Sequence, residues 1–474
     1  MLRFSLKLEE SGIILVLLHL ILLKLSYRFP YGLSIDEKPV FWLVGFLIAA
    51  GLVYLSASIK AVRSCDRLVS QNRVFVFVTA VGLILRVSMM FSTPMLEDDY
   101  YRYLMDGAMV NSGLNPYAHS LEDIINKHNV PAELDALVKE SGSLINRINH
   151  PHLRTIYPPV AETAFSLAYL IKPWSLAAWR FVLLFCDLCS LGLLIVIVKK
   201  LKLPATLLLI FWWNPLYIKE IYNSAHMEGL LMPFLFGILL CLIYSRHLLA
   251  VICLAFASGV KLWPIVLMPV ILRPYFNNVK KLLFFISIFV LLVLAMFWPV
   301  CSAGFDISSG FVAYGRIWEM NDSAFMLLFW ILRFVLSPFE PEFLTVHLIT
   351  KGLVFIILTV IIVIFNLKNP VDSLDIAKRF LIITAGLFLL SPTQFPWYST
   401  WFLPFLVFLP GASLLLLTPL LSLYYLRFYF KEHGEAAIFD NYIVWLEYIP
   451  VWIALLWQWH KERKNNAGYY KDTF

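Results

Sequence analysis

Three consecutive carboxylates follow the third long apolar stretch of the sequence. Glu97, Asp98 and Asp99 stand there in a row, and aromatic residues, Arg102 and Asp106 follow at once. Acids in loops are commonly only solvated, but acids mixed with aromatic residues favour a folded and partly buried site. A carboxylate held in such a site can accept a proton from an attacking hydroxyl group. The segment is therefore a candidate for general-base catalysis.

A second polar stretch carries basic as well as acidic groups, with Lys219, Glu220, His226 and Glu228 close together. His226 can bind a phosphate oxygen or orient a carboxylate, although a lone histidine in a loop usually does neither. Lys261 follows at a break between two short apolar segments. A lysine there either snorkels to the interface or holds a phosphate as a point charge.

A third polar stretch contains Trp318, Glu319 and Asn321. A tryptophan beside polar side chains commonly stacks on a sugar ring, and it serves equally well as an interfacial anchor. Both interpretations of this stretch remain open from the sequence.

Charged residues also occur within the apolar stretches themselves. Arg86 lies in one of them, and a charge inside a membrane is a functional hypothesis by default. The alternatives are that Arg86 snorkels outward or pairs with Asp187. Arg180 and Asp187 are seven residues apart and so share one helix face, which favours a structural ion pair or interhelical contacts.

The elements that must position these residues are membrane helices. Of the 474 residues, 60% are hydrophobic and only 15% are charged, whereas soluble domains are near half apolar and a quarter charged. Stretches of about 18 apolar residues can each cross a bilayer as a helix. The clear candidates are 11–27, 40–57, 74–92, 177–198, 229–244, 282–300, 346–366 and 439–459. Shorter or proline-broken candidates are 204–218, 248–260, 261–272, 380–392, 400–410 and 411–427, so we expect 12 to 14 spans in one membrane-embedded domain, 1–474.

Lysine and arginine placement predicts the orientation, because cytoplasmic loops are enriched in these residues. The basic clusters include Arg273, Lys280 and Lys281 in one connection and Lys368, Lys378 and Arg379 in another. Putting the basic clusters inside makes both termini cytoplasmic and leaves two long outer loops, 93–176 and 301–345. The apolar segment 157–171 is too short to cross comfortably, so we expect a helix at the outer surface. The net charge of +7 is then loop charge and not a nucleic-acid footprint.

Several motifs resemble the GT-C superfamily, multipass glycosyltransferases that use polyprenyl-phosphate sugars. The likeness is strongest to bacterial-type mannosyltransferase-like members and covers roughly residues 74–460. In the first outer loop it rests on the run from Glu97 to Gly107, on Gly113-x-Asn115-Pro116-Tyr117 and on Tyr157-Pro158-Pro159. Weaker agreement comes from Asn214-Pro215-Leu216, Ser224-Ala225-His226, Gly259 to Pro264, Trp318-x-x-Asn321 and Pro396-Trp397-Tyr398.

The resemblance implies an all-α, GT-C-like membrane enzyme that transfers a hexose, most plausibly mannose, from a polyprenyl-phosphate donor to a hydroxyl of a glycan or glycolipid. An acidic residue of the first outer loop is the base in that superfamily, which indicates Asp98 or Asp99, with Asp98 preferred. Direct displacement by the activated hydroxyl would invert the anomeric centre. Met105 stands where a tryptophan is usual, and Glu228 stands where an aspartate is usual.

The remaining candidates divide by charge and chemistry. A leaving phosphate needs basic partners, and a sugar needs polar and aromatic ones. The phosphate candidates are Arg102, Lys219, His226 and Lys261. The acceptor or sugar candidates are Glu97, Tyr101, Asp106, Trp318 and Asn321. We expect no cofactor and no essential metal, although adjacent carboxylates and phosphates can bind a divalent ion.

Two other classes remain open at this stage. A transporter or flippase of lipid-linked sugars would suit the intramembrane charges, but no internal repeat is visible, and many transporters are built from repeats. A structural subunit of an envelope-polymer assembly could keep the fold without the activity. The enzyme interpretation places the protein in a bacterial-type inner or plasma membrane, with its active site on the outer face.

Overall fold

The computed structural model of the chain describes residues 7–63, 71–126, 131–306, 308–317 and 319–471. Within those ranges the protein is built from helices, and the single isolated β-bridge joins Met320 to Thr393 without forming a strand. The all-α prediction is therefore confirmed for the described part of the chain.

Among the described residues, seven helical segments are long and apolar enough to cross a membrane, or eight if one bent pair is counted as a single span. The protein is a multi-pass membrane protein. The seven segments are Val40–Arg63, Asn72–Met90, Leu176–Lys200, Val279–Ala303, Phe343–Phe365, Ala412–Glu432 and Ala436–Lys461, and the bent pair is Pro215–Asn223 with Met227–Ile243.

The expected 12 to 14 spans included shorter segments that the structure resolves into separate pieces. Leu8–Ser26 and Ser373–Leu390 are helices of suitable length, but every 18-residue stretch of either contains three charged residues, whereas each of the seven has an apolar 18-residue stretch with at most two. Proline interrupts most of the others, because it lacks an N–H and clashes with the preceding turn. The shorter apolar helices are Leu208–Trp212, Pro215–Ile218, Met232–Ile243, His247–Val260, Met268–Leu272, Leu403–Leu406, Ala412–Leu415, Leu417–Leu420, Leu426–Glu432 and Ala436–Ile438, and the final helix is Val444–Lys471.

The two long loops predicted to lie outside carry helices of their own. The first contains Tyr100–Asn111, Leu121–Ile125, Ala132–Ser141 and Pro159–Ile171, and the second contains Gly310–Ile317 and Ala324–Leu336. The expected surface helix is thus a helix of 13 residues, with Pro159 at its first position, where the missing N–H costs no hydrogen bond.

Aromatic packing fixes the first long loop on the membrane helices. The ring of Tyr103 stacks on Phe165 at 4.5 Å and meets the edge of Trp179 at 5.7 Å. These rings join the helix Tyr100–Asn111 to Pro159–Ile171 and to Leu176–Lys200. Because Asp99 directly precedes the first of these helices, the packing also positions the acidic segment.

Candidate functional site

The acidic segment is an ordered turn between two helices. Leu96 has a φ of +72°, an uncommon backbone conformation for a side chain other than glycine. The N–H of Met95 donates to Oδ1 of Asn223 at 3.1 Å, which ties this turn to the bent pair of helices. Strained residues of this kind cluster at functional sites.

Asp98 and Asp99 face different surroundings. Asp98 accepts a hydrogen bond from the amide of Asn149, within the same long loop. Asp99 points towards the bent pair, with its Oδ2 3.7 Å from Nδ1 of His226 and its side chain 35% exposed. Loss of water raises the pKa of Asp98 to about 6 and that of Asp99 to about 7, where the charges of Asp98 and Glu228 add to the rise.

Glu97 is the most enclosed of the three acids, and only 9% of the residue is exposed. Burial raises its pKa well above the usual range, while the nearby charge of Lys219 opposes the rise. Its Oε1 has no hydrogen-bond partner among the described residues. Glu97 is therefore more fully buried than Asp98 and Asp99.

The next three candidates join parts of the first long loop to one another. Arg102 donates through Nε to Oδ1 of Asp106 at 3.1 Å and through Nη2 to the carbonyl of Leu153 at 3.0 Å. Tyr101 accepts a hydrogen bond at 3.0 Å from Nη1 of Arg147. Asp106 is 1% exposed. The structure thus gives Arg102 internal partners, and its role as a phosphate ligand stays a prediction.

The bent pair supplies the opposite wall of the site. Lys219–Asn223 forms a π-helical turn, a feature frequent at functional sites, and Ala225 has a φ of +62°. The two helices of the pair meet at 106°. This break brings Glu220, His226 and Glu228 to one place although they lie on different turns.

Lys219 and Glu220 form a buried polar network. Nζ of Lys219 donates to Oγ of Ser224 at 2.7 Å and to the hydroxyl of Tyr425, and it lies 3.7 Å from Oε1 of Glu220. Tyr425 in turn donates to that same Oε1. The side chains of Lys219 and Glu220 are 1% and 0% exposed, so Lys219 is enclosed by partners in the protein.

His226 lies between two carboxylates and under an aromatic ring. Its Nε2 is 3.5 Å from Oε2 of Glu220, on the side away from Asp99, and the histidine side chain is fully buried. Its ring stacks on Trp397 with centroids 3.9 Å apart and planes at 20°. These contacts hold the imidazole in one orientation.

Lys261 is the more accessible cation of the site. It forms an ion pair with Glu228, and its side chain is 20% exposed while that of Glu228 is 1% exposed. Its Nζ lies 4.0 Å from the ring centre of Tyr398 and 5.4 Å from that of Trp401. Its positive charge also acts on Asp99, whose pKa it lowers.

Of the two candidates in the second long loop, the structure describes only Asn321. Trp318 lies outside the described residues. Asn321 is 3% exposed, and its amide donates to the carbonyl of Gln394 at 3.1 Å. It therefore braces the segment that leads to Trp397, and a sugar-binding role for Asn321 stays a prediction.

The intramembrane charges form a network behind the site. Nε of Arg86 donates to Oδ2 of Asp187 at 2.7 Å, with both side chains fully buried. Tyr217 and Tyr222 donate to the same carboxylate at 2.5 and 2.8 Å. Arg86 thus pairs with Asp187, one of the two alternatives left open. Arg180 instead donates at 2.8 to 2.9 Å to the carbonyls of Met90, Ser92 and Asn223.

Sequence reasoning missed several neighbours of the site. Tyr425, Asn149 and Trp397 contact Glu220, Asp98 and His226 respectively. Trp397 belongs to a motif noted for its resemblance to GT-C enzymes, but Tyr425 and Asn149 carry no local signal. Only the folded arrangement brings them to the acids.

The arrangement offers a partly exposed carboxylate for proton abstraction and a partly exposed cation for a phosphate, and the charge of the cation acts on the carboxylate. Among the described residues no group of three histidine, cysteine or acidic side chains is arranged to hold a metal ion. Whether the activity needs a metal stays a prediction to be tested in solution.

Comparison with known proteins gives one match. The model of a family described as alpha-(1->6)-mannopyranosyltransferase, N-terminal domain, matches residues 32–275, just over half of the 474 residues. No curated protein and no solved structure matches significantly. The matched region includes the acidic segment, the bent pair and Lys261.

Proposed function

Because this chain belongs to the alpha-(1->6)-mannopyranosyltransferase family, we propose that it transfers mannose from a polyprenyl-phosphate donor to a hydroxyl group of a glycan or glycolipid. Mannosyl transfer follows from the family. The donor, the acceptor class and the location of the site on the outer face of the membrane are the proposal. The transporter and structural-subunit alternatives are set aside, because the family is one of enzymes.

The observation that carries the proposal is the partly exposed carboxylate of Asp99, which lies 3.7 Å from His226 and close enough to Lys261 for that positive charge to act on it. Asp99 lies at the start of a rigid helix, is partly exposed, and has a pKa raised to about 7 by loss of water and by neighbouring acids. A base works best when its pKa is close to the working pH. We therefore assign the base to Asp99 in preference to Asp98, whose carboxylate is engaged by Asn149.

The reaction needs two groups of opposite kind. Asp99 takes the proton of the acceptor hydroxyl, whose oxygen then attacks the anomeric carbon from the side opposite the phosphate. The bond from that carbon to the phosphate oxygen breaks, and the electron pair leaves with the phosphate. Lys261 stabilises this developing anion as a point charge. Displacement in one step inverts the anomeric centre.

The carrier follows from where the site lies in the predicted topology. Nucleotide sugars are made in the cytosol, and the predicted inner connections are short and basic, with no glycine-rich phosphate loop that opens a helix. A site on the outer face must receive its sugar on a carrier that crosses the membrane. A polyprenyl phosphate meets that requirement, and its chain can lie against apolar helix faces.

Transfer by purified protein tests the proposal directly. Detergent-purified enzyme is offered radiolabelled mannose either on a polyprenyl phosphate or on a nucleotide, with a mannosyl acceptor. We expect turnover only with the lipid donor. Lys261→Ala should raise the KM for that donor more than the KM for the acceptor, and Lys261→Arg should be milder because it keeps the charge. Turnover with the nucleotide sugar alone would refute the donor assignment.

The same assay tests the base. Asp99→Asn should lower kcat by about a hundredfold or more, as loss of a general base commonly does, while protein yield and thermal stability are retained. Asp98→Asn should keep most of the activity. If instead Asp98→Asn is inactive and Asp99→Asn is active, the base is the neighbouring residue. Full activity in both variants would exclude this segment as the source of the base.

A further inference from the structure

His226 is buried between two carboxylates, and the proposed reaction gives it no role there. It is fully buried, it stacks on Trp397, and its two ring nitrogens face Asp99 at 3.7 Å and Glu220 at 3.5 Å. Within the described residues neither ring nitrogen has a hydrogen bond. Closing each distance by roughly 0.5 to 0.8 Å would bring it to ordinary hydrogen-bond length, and catalytic contacts often tighten in this way when substrate binds.

The two oxygens of Glu220 have different neighbours. Oε1 accepts the hydroxyl of Tyr425 and lies 3.7 Å from Nζ of Lys219, whereas Oε2 faces Nε2 of His226. A carboxylate with a lysine partner accepts hydrogen bonds and does not donate them. The ring nitrogen that faces Glu220 must then carry the proton of the neutral imidazole. The nitrogen that faces Asp99, Nδ1, is left with its lone pair.

We propose that Glu220 acts through His226 as a positioning residue, which presents the lone pair of Nδ1 to Asp99 and so makes Asp99 the better base. This inference rests on the proposed function. A lone pair on Nδ1 can accept a hydrogen bond from protonated Asp99 but offers nothing to its ionised form. The arrangement therefore favours the state in which Asp99 has taken the proton of the acceptor.

The proton balance follows from the same contacts. The proton passes from the acceptor hydroxyl to Asp99 as the new bond to the anomeric carbon forms and the bond to the phosphate oxygen breaks. Asp99 shares this proton with Nδ1 of His226, and Glu220 stabilises the positive charge that reaches the ring. After the product leaves, Asp99 returns the proton to water through its exposed side.

Other charged groups also act on Asp99 and on His226. Those that face Asp99 are Asp98 and Glu97 on its own segment, Glu228 and Lys261, with the hydroxyls of Tyr103, Tyr157, Tyr398 and Tyr424 nearby. Those that face His226 besides the two acids are Lys219 and Lys261. These groups stay in place when Glu220 alone is changed, so a change of pH profile can be assigned to Glu220.

Glu220→Gln is the informative substitution. The amide oxygen will take the place of Oε1, because Lys219 and Tyr425 both need an acceptor there. The amide NH2 then takes the place of Oε2 and donates to Nε2 of His226. The histidine must place its proton on Nδ1, which now donates to Asp99 and stabilises the ionised carboxylate.

The expected result is a slower enzyme with a shifted pH profile. In Glu220→Gln, kcat should fall by about ten- to a hundredfold, less than the roughly hundred- to ten-thousandfold that complete proton-transfer catalysis contributes, because Asp99 is still present. The acidic limb of kcat/KM should move to lower pH. The KM for the lipid donor should stay unchanged. Tyr425→Phe is the matched control, because it removes a donor to Oε1 and keeps the carboxylate. Its pH profile should match the parent enzyme.

Opposite outcomes separate this inference from the proposed function. A normal pH profile and normal kcat in Glu220→Gln, with Asp99→Asn inactive, would overturn only the role of Glu220. Full activity of Asp99→Asn would instead overturn the assigned base. If Glu220→Gln does not fold by thermal unfolding, His226→Phe replaces it, because phenylalanine keeps a ring beside Trp397 but removes Nδ1, so the same loss of kcat and shift of the acidic limb are expected. A raised donor KM with normal kcat in His226→Phe would make the histidine a phosphate ligand and refute the inference.

Discussion

Asp98 and Asp99 are neighbours in the chain but have different electrostatic surroundings. Loss of water is the main cause of the raised pKa in both, yet Asp99 also feels the negative charges of Asp98 and Glu228. A carboxyl with a raised pKa is protonated at low pH and cannot accept a proton there. The residue that serves as base should therefore set the acidic limb of the pH profile.

This gives a prediction at the scale of single residues. For the parent enzyme kcat/KM should fall about tenfold per pH unit below about pH 7, the pKa of Asp99, since only the ionised base works. Asp98→Asn removes a repelling charge, so the pKa of Asp99 falls and the limb should move to lower pH. Glu122→Gln, on an exposed part of the same loop, should leave the limb in place. An unmoved limb in Asp98→Asn would contradict the assignment of Asp99.

At this scale the sequence identifies residues that lie close together in the chain. The run of Glu97 to Asp99 and the stretch that holds Glu220 and His226 were visible as clusters, and the structure brings the two clusters together. Tyr425 and Asn149 were not visible, because a single tyrosine or asparagine has no pattern. Their contacts with Glu220 and Asp98 depend on chain segments far apart in sequence.

The packing of two helices in the first long loop positions the acidic segment. The helix Tyr100–Asn111 packs closely on Pro159–Ile171, and Gly107 lies at their closest approach. A Cβ atom at Gly107 would collide with the backbone carbonyl of Phe165, whereas a Cβ at Gly45 would meet nothing within 4 Å. Backbone cannot move aside as a flexible side chain can. Any side chain at Gly107 must therefore push the two helices apart.

Gly107→Ala accordingly tests whether this packing positions the base. We expect a loss of stability of about 1 to 3 kcal/mol, typical of an overpacked contact, together with reduced kcat because Asp99 moves with its helix. Gly45→Ala is the control and should be neutral or stabilising by about 0.5 to 1 kcal/mol, because alanine is the better helix former. Thermal unfolding in detergent and the transfer assay measure both. If the two variants have the same stability and the same kcat, the packing at Gly107 does not position the base.

A second prediction at this scale concerns the ion pair that joins the helix of Arg86 to that of Asp187. Arg86→Leu leaves a buried carboxylate without its counter-charge and should destabilise the protein by about 3 to 5 kcal/mol. Arg86→Leu combined with Asp187→Leu removes both charges and should recover part of that loss. A double-mutant cycle by unfolding in detergent measures the coupling. If the losses in unfolding free energy of the two single variants add up in the double variant, the ion pair contributes no specific stability.

The architecture of the whole molecule was partly predictable because apolar length is a strong local signal. The all-α membrane fold follows from it, as does the helix Pro159–Ile171. The division of the proline-broken segments was not predictable, because proline can either kink one helix or separate two. Between residues 215 and 243 the chain forms neither a single kinked helix nor two independent ones. A π-helical turn and a bend of 106° join the two parts and shape the site.

Contacts between loops agree with the prediction of which loops lie on the same side of the membrane. Arg154 of the first long loop pairs with Asp306 of the second at 2.8 Å, and Asp36 pairs with His433 at 3.0 Å. Arg273, in a predicted inner connection, donates to the carbonyl of Leu367 in another at 2.6 Å. Segments assigned to one side thus meet one another. The contacts leave open which side faces the cytoplasm.

Labelling of single cysteines decides which set of loops faces the cytoplasm. In a background without the native cysteines, Ser112→Cys in the first long loop and Glu342→Cys at the end of the second should react with an impermeant thiol reagent in intact cells. Asn277→Cys and Asp372→Cys should react only after the membrane is opened. All four positions are exposed in the structure, so burial cannot explain a negative result. The expectation rests on the cytoplasmic enrichment of lysine and arginine, here Arg273, Lys280 and Lys281 beside Asn277. The reverse labelling pattern would place the catalytic site on the cytoplasmic side, where a nucleotide sugar could reach it. In that case the argument for a lipid carrier would fail.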